Sequence, residues 1–273
     1  MTRLALAALL LLATAPAGAT QSLPQVESTG ALRPLESVVS ARGFEGVGRL
    51  DHDSGYCSAT LIATDLVLTA AHCLYDDRGA RIPDARFTFR AGLRNGRAEA
   101  ERHVRTSFVP AAYRPGRVVE IDGVATDLAL LELARPITLP MVQPIRAGGD
   151  LRMHDMVTIV SYGRDRDSFA SIEEDCRALY REGDVVVMSC SVVQGSSGAP
   201  VLRQTPSGPE VVAVVSATGA AGDRSASFAV AAEGLLRELL AAHARVRGGG
   251  ATVRRLTVGE DRRDGIGARF LRP

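Results

Sequence analysis

Three residues, His72, Asp127 and Ser197, each lie in a local setting suited to nucleophilic acyl transfer. A serine hydroxyl is a weak nucleophile at neutral pH and needs an adjacent base to take its proton. Histidine suits that task because its unperturbed pKa lies near neutrality. A buried carboxylate then fixes the imidazole tautomer and stabilises the imidazolium as it forms. The attacked carbonyl develops negative charge that preorganised N–H donors must meet, and losing one such donor costs about 2.7–4 kcal/mol of activation energy.

Ser197 lies inside Gly195-Ser196-Ser197-Gly198-Ala199-Pro200. Glycines on both sides permit a sharp turn with positive φ that exposes the hydroxyl. The same turn can aim the amides of Gly195 and Ser197 at one point, forming an oxyanion hole. Ser196 is the competing nucleophile, but the Gly-x-Ser-Gly-x-Pro frame selects Ser197. His72 follows the β-type run Leu66 to Thr69, and its small neighbour Ala71 leaves the ring unobstructed. His52, His103 and His154 have no comparable framing. Asp127 opens the apolar stretch Leu128-Ala129-Leu130-Leu131, where a carboxylate becomes buried and requires a partner. Asp65, Asp122 and Asp155 lie instead in polar, turn-like surroundings. Any one of the three on its own reads as an ordinary turn or core residue; only the combination points to chemistry.

The elements that must position them are short. Apolar runs such as Ala59 to Ala63, Leu66 to Thr69, Arg86 to Arg90, Met156 to Ser161, Asp184 to Met188 and Glu210 to Ser216 are separated by Gly, Pro and Asp. That spacing predicts an all-β barrel or sandwich, with no alternating βαβ units. The Pro- and Gly-rich stretch Arg135 to Asp150 reads as a linker between two halves, 43–140 and 141–246. One helix is predicted over Ala231–Ala244, with Leu235, Leu236, Leu239, Leu240 and His243 on one stripe. His243 reads as a helix-edge residue. Residues 247–273 form an Arg- and Gly-rich tail, read as solvated, with an anchoring arm as the alternative.

Residues 1–19 read as a secretory signal peptide: Arg3, an apolar core from Leu4 to Ala13, and small residues ending at Ala19. The core falls well short of the ~20 apolar residues of a membrane span. Residues 20–42 read as an N-terminal arm or propeptide. An exported chain is expected, periplasmic or extracellular, with no stable membrane insertion. With 32 basic residues, all of them Arg, against 31 acidic ones, the formal charge is +1, so bulk attraction to nucleic acid is not expected. Four cysteines in an exported chain favour disulfides. Of three possible pairings, the nearest-neighbour choice, Cys57–Cys73 and Cys176–Cys190, closes two loops of about 15 residues, each stabilising by ~3 kcal/mol. A zinc site on Cys57, His72 and Cys73 lacks a Cys-x-x-Cys pair, so no metal is expected.

The block Cys57-Ser58-Ala59-Thr60-Leu61-Ile62, then Leu68-Thr69-Ala70-Ala71-His72-Cys73, Asp127-Leu128-Ala129-Leu130-Leu131 and Gly195 to Pro200 resembles the trypsin/chymotrypsin-like serine peptidase family. Within it, the bacterial secreted branch that includes V8-like glutamyl endopeptidases is the most similar. The order His, Asp, Ser along the chain is also that of chymotrypsin-type hydrolases and differs from that of subtilisins and α/β-hydrolases. The resemblance implies two packed six-stranded antiparallel β-barrels with a C-terminal helix, and an active site in the cleft between them. It implies His72 as general base and acid, Asp127 as its orienting carboxylate and Ser197 as nucleophile, with the amides of Gly195 and Ser197 as oxyanion hole. A monomeric endopeptidase acting on protein or peptide substrates without a cofactor is then expected.

The chain departs from the family pattern in two places. Ser196 stands where many members place an Asp that meets a freed N-terminal ammonium, and Arg42-Gly43-Phe44-Glu45-Gly46 replaces the Ile-Val-Gly-Gly type of new terminus. Activity is therefore expected to need no such ammonium. The specificity pocket is expected on Ser191, Ser216 and Thr218. Ser191 argues against a preference for Arg or Lys, and Val214 and Val215 lack the His of glutamyl peptidases. Thr218 narrows the pocket toward small or medium uncharged side chains, unless Asp223 in the next loop turns inward. A catalytically silent binding or scaffold module, and a narrow processing protease or esterase, are the alternatives.

Overall fold

The computed structural model describes residues 32–116, 121–164, 166–221 and 224–248. The expected signal peptide (1–19), most of the stretch 20–42 expected as an arm or propeptide, Asp223 and the residues beyond Gly248 lie outside the described residues. The described chain enters through β1 (Arg33–Pro34), whose short strand places Leu35 in the core at 1 % exposure.

Six strands then close a barrel: β2 (Val47–His52), β3 (Gly55–Ala63), β4 (Leu66–Thr69), β5 (Thr88–Ala91), β6 (Ala100–Phe108) and β7 (Ala129–Leu133), in the order β2-β3-β4-β7-β6-β5. β5 pairs back onto β2, so the barrel presents no free edge. All residues of β4 and of β7 are buried, because one face fills the barrel and the other meets the second half. A one-turn helix, α1 (Ile121–Val124), leads into Asp127 just before β7.

The second half contains β8 (Arg146–Ala147), β9 (Met156–Gly163), β10 (Arg166–Glu182), β11 (Val185–Met188), β12 (Pro200–Thr205), β13 (Gly208–Ala221) and β14 (Arg224–Ala231). Six of them run β10-β11-β14-β13-β12-β9, and β9 pairs again with β10, which closes the sheet; β1 adds to β10 and β8 to β13. The fold is thus mostly strand, with two barrels in sequence, as expected from the resemblance. Each barrel has its own apolar core, and a third cluster joins them, with Leu68 and Leu128 from the first half packed with Val160, Tyr162 and Val214 from the second.

The predicted helix is α2 (Ala232–Gly248), which runs a turn beyond its expected end. Leu235, Leu236 and Leu239 are buried against the seam between the barrels. Leu240, expected on the same stripe, is 37 % exposed. His243 is no helix-edge residue. It is buried, its Nε2 lies 3.1 Å from the carboxylate of the buried Glu132 on β7, and its ring stacks edge-on against Phe108. A polar partner across the seam makes that burial tolerable.

Disulfides join Cys57 to Cys73 and Cys176 to Cys190. The first fastens β3 to the 3₁₀ turn Ala71–Leu74 that follows β4; the second fastens β10 to the segment after β11.

Candidate active site

His72 lies on the 3₁₀ turn Ala71–Leu74, directly after β4 and beside the bridged Cys73. Backbone on either side of the ring is therefore held by a strand ladder and a covalent link. Asp127 is fully buried. Its Oδ1 accepts the His72 backbone N–H at 2.8 Å, and its Oδ2 lies 2.7 Å from Nδ1 of the same residue. The Ser216 hydroxyl donates to Oδ2 at 2.5 Å. Three donors on one carboxylate offset the cost of burying its charge. With Nδ1–H donating to Asp127, the free Nε2 is the acceptor nitrogen of the neutral ring.

Burial alone would push the His72 pKa down, but the charge of Asp127 and the hydrogen bond to it outweigh that, and the pKa is raised above 6.5. A raised histidine pKa means that this pair stabilises the fold fully below the unfolded pKa. That contribution is lost as the pH rises through the folded one.

Ser197 is half-buried at the tip of the loop between β11 and β12, facing the cavity that His72 also lines. No direct hydrogen bond joins Ser197 to His72 among the described residues. Ser196, the competing hydroxyl, is 1 % exposed and donates to Ser161 Oγ at 3.1 Å, so it is turned away from the cavity.

Buried N–H and C=O groups must find partners, and most of those in this loop do. The carbonyl of Gln194 accepts from Arg164 N–H at 2.8 Å and that of Ser196 from Ala199 N–H at 3.0 Å. The carbonyls of Gly195 and Ser197 accept from the Ser58 hydroxyl at 2.9 Å and the Ser58 N–H at 2.8 Å. The N–H groups of Ser196 and Gly198 donate to Val193 and Val215 carbonyls. The N–H groups of Gly195 and Ser197 remain, and neither has a protein acceptor among the described residues. Both are therefore free to receive an oxyanion.

Glycine is required at two points of this turn. Gly195 has φ +94° and Gly198 φ +80°. A Cβ on Gly198 would overlap the Thr69 hydroxyl and the Ser58 carbonyl.

The cavity beside His72 and Ser197 has a volume of about 580 Å³. Its walls include Tyr56, Tyr75, Asp77 and Arg78 from the first barrel, with Arg164 and Gln194 from the second. His52 also lines it; burial lowers its pKa below 6.5 although Asp53, Asp51 and Asp77 oppose the shift. None of these side chains stood out in the sequence, because no spacing rule links a β2–β3 turn to a loop more than a hundred residues away.

The expected specificity residues are not gathered there. Ser216 does not line this cavity, and its hydroxyl is committed to Asp127. Ser191 and Thr218 are exposed and do not line this cavity. The Ser191 N–H instead donates at 2.9 Å to Glu173, a buried carboxylate on β10, 18 positions away. Cys57 and Cys73 bring sulfur close to the His72 ring, but as a disulfide they have no thiolate to offer a metal.

The chain is similar to known proteins in sequence and in fold. The family described as trypsin-like peptidase domain matches residues 57–214, more than half of the chain. A trypsin-like protease of Streptomyces glaucescens is 37 % identical over 92 residues, covering 34 % of this chain and 31 % of that protein. A modular serine protease of Drosophila melanogaster is 35 % identical over 94 residues, covering 33 % of this chain and 15 % of that protein. The matches thus span less than a third of either relative. The solved structure of a Glu endopeptidase in complex with MPD superposes with a TM-score of 0.64, covering 80 % of this chain and 99 % of that one. At 16 % identity that likeness establishes the fold alone.

Proposed function

The chain belongs to the trypsin-like peptidase family, and from that premise we propose that it is an exported serine endopeptidase working through an acyl-enzyme. The observation that carries the proposal is the convergence on one cavity of His72, braced by buried Asp127, of Ser197, and of two unpaired amides.

Ser197 Oγ attacks the scissile carbonyl while His72 Nε2 takes its proton, forming a tetrahedral intermediate. The oxyanion meets the N–H groups of Gly195 and Ser197. The imidazolium, stabilised by Asp127, then protonates the leaving amine, and the C–N bond breaks. Water repeats the sequence on the acyl-enzyme, with His72 again as base, and releases the acid. The hydrogen bond from Ser197 to His72 forms as substrate closes the site, a tightening common to ligand-free hydrolases. The buried contact of Ser196 with Ser161 braces the loop by neutral hydroxyls, which supports activity without an inserted ammonium.

The raised His72 pKa sets the acid limit. The base is inactive while protonated, so kcat/KM is expected to rise with pH through one ionisation whose midpoint lies above 6.5. A pH–rate profile with its acid limb centred below 6 contradicts that assignment.

Incubation with a mixed peptide library tests the reading as a whole. Internal cleavage is expected, and complete absence of cleavage would overturn the endopeptidase reading.

A further inference from the structure

We propose that Ser58 is a positioning residue that holds the Gly195 and Ser197 amides in register for the oxyanion, from across the seam between the barrels. The proposal rests on the endopeptidase reading above. Ser58 lies on β3 in the first barrel, fully buried, next to the bridged Cys57. Each of its polar groups is engaged. Its N–H donates to the Ser197 carbonyl at 2.8 Å and its hydroxyl to the Gly195 carbonyl at 2.9 Å. The same hydroxyl accepts the Tyr162 N–H of β9 at 2.9 Å, and its carbonyl accepts the Thr69 hydroxyl at 2.8 Å.

The two carbonyls that Ser58 holds belong to alternate peptide planes of the nucleophile loop. The plane between them carries the Ser197 N–H, and the plane preceding them carries the Gly195 N–H. Fixing the outer orientation of these planes therefore fixes where the two free donors point. The backbone half of this brace is open to any residue at 58, but the hydroxyl half is not. Only a side chain that both donates and accepts can join the Gly195 carbonyl to the Tyr162 amide. Gly195, at φ +94°, has no side chain of its own to resist rotation. The hydroxyl thus couples a rigid strand of each barrel to the one loop whose amide directions decide transition-state stabilisation.

Loss of this brace misdirects donors that matter only once the oxyanion forms. Ser58→Ala is expected to lower kcat about 10- to 100-fold. KM should stay within about twofold, the pattern of an interaction felt in the transition state alone. Affinity for a peptide boronate, which forms a tetrahedral adduct on Ser197, should fall by the same factor as kcat. The acid-limb midpoint should not move, because the His72–Asp127 pair is untouched. Ser58→Thr, which keeps the hydroxyl, should restore most of the turnover. Thr60→Val is the control: it removes a buried hydroxyl that has no hydrogen-bond partner among the described residues, two residues along the same strand, and should leave kcat unchanged.

If Ser58→Ala does not fold, Ser58→Cys carries the comparison, because its thiol keeps the size but bonds weakly. Its kcat should fall more than twofold below wild type, and by less than the loss expected for alanine. A kcat within twofold of wild type in the Ala or Cys variant would overturn the proposal. So would a loss confined to KM, or an equal loss of kcat in Thr60→Val. Wild-type protein that neither cleaves peptide nor reacts with a fluorophosphonate would instead overturn the endopeptidase reading and this proposal with it.

Discussion

Ser197→Ala, and separately His72→Ala, are each expected to lower kcat by about 10⁶-fold, with the double variant hardly worse than either single one. The two act as a unit: the hydroxyl has no use without a base, and the base has nothing to deprotonate without the hydroxyl. Both face the same cavity, and their backbones are held by different barrels, so neither substitution should disturb the other's position. Residual turnover above water should remain, owed to the Gly195 and Ser197 amides and to substrate binding. Steady-state kinetics on a peptide ester, with circular dichroism to verify folding, would check this. Losses that add on a logarithmic scale would show that the two residues do not act together.

Asp127→Asn is the second large effect, expected at about 10⁴-fold in kcat. The carboxylate now accepts three hydrogen bonds, from the His72 N–H, from His72 Nδ1 and from the Ser216 hydroxyl. An asparagine has one acceptor oxygen. If that oxygen takes the place of Oδ1 and faces the backbone N–H, its NH₂ faces both Ser216 and the ring and selects the tautomer with the proton on Nε2, where no base remains. The substitution also removes both influences that raise the His72 pKa, leaving burial, which lowers it. The acid limb of the pH–rate profile should therefore move to lower pH while the plateau collapses. A loss under tenfold, or an unmoved limb, would contradict the role given to Asp127.

Much of this site was legible because its parts are local. Ser197 between two glycines, His72 beside a bridged cysteine, and Asp127 at the head of an apolar strand each report their surroundings within a few residues. The strands that carry them, β3, β4, β7 and β12, are short apolar runs and could be read directly. Others could not. In β6 only Ala100 and Val104 are buried, so the strand reads as the charged run Glu101-Arg102-His103. The 17 residues of β10 carry Glu174, Asp175 and Arg177 on an outer face, which hides its pairing with β9 and β11.

What escaped sequence reasoning is long-range by nature. Ser216 was expected on a pocket wall, and nothing in its strand position reveals that its hydroxyl turns to Asp127, 89 positions away. His243 meets Glu132, 111 positions away, through the packing of α2 across both barrels. Ser58, within the block that begins at Cys57, has no local signal of its own partner, yet it bonds to Gly195, 137 positions away. A small polar residue buried in a strand gives no periodic signal; its partner is known only when the two barrels meet.

The most direct test of the central claim is covalent labelling with a fluorophosphonate, read by mass spectrometry of the labelled peptide. Such probes react with a serine only where a base and an oxyanion hole are already organised around it. Wild-type protein is predicted to take one label, on Ser197, with none on Ser196 and none in Ser197→Ala. A folded wild-type protein that stays unlabelled, or a label that persists in Ser197→Ala, would contradict the account.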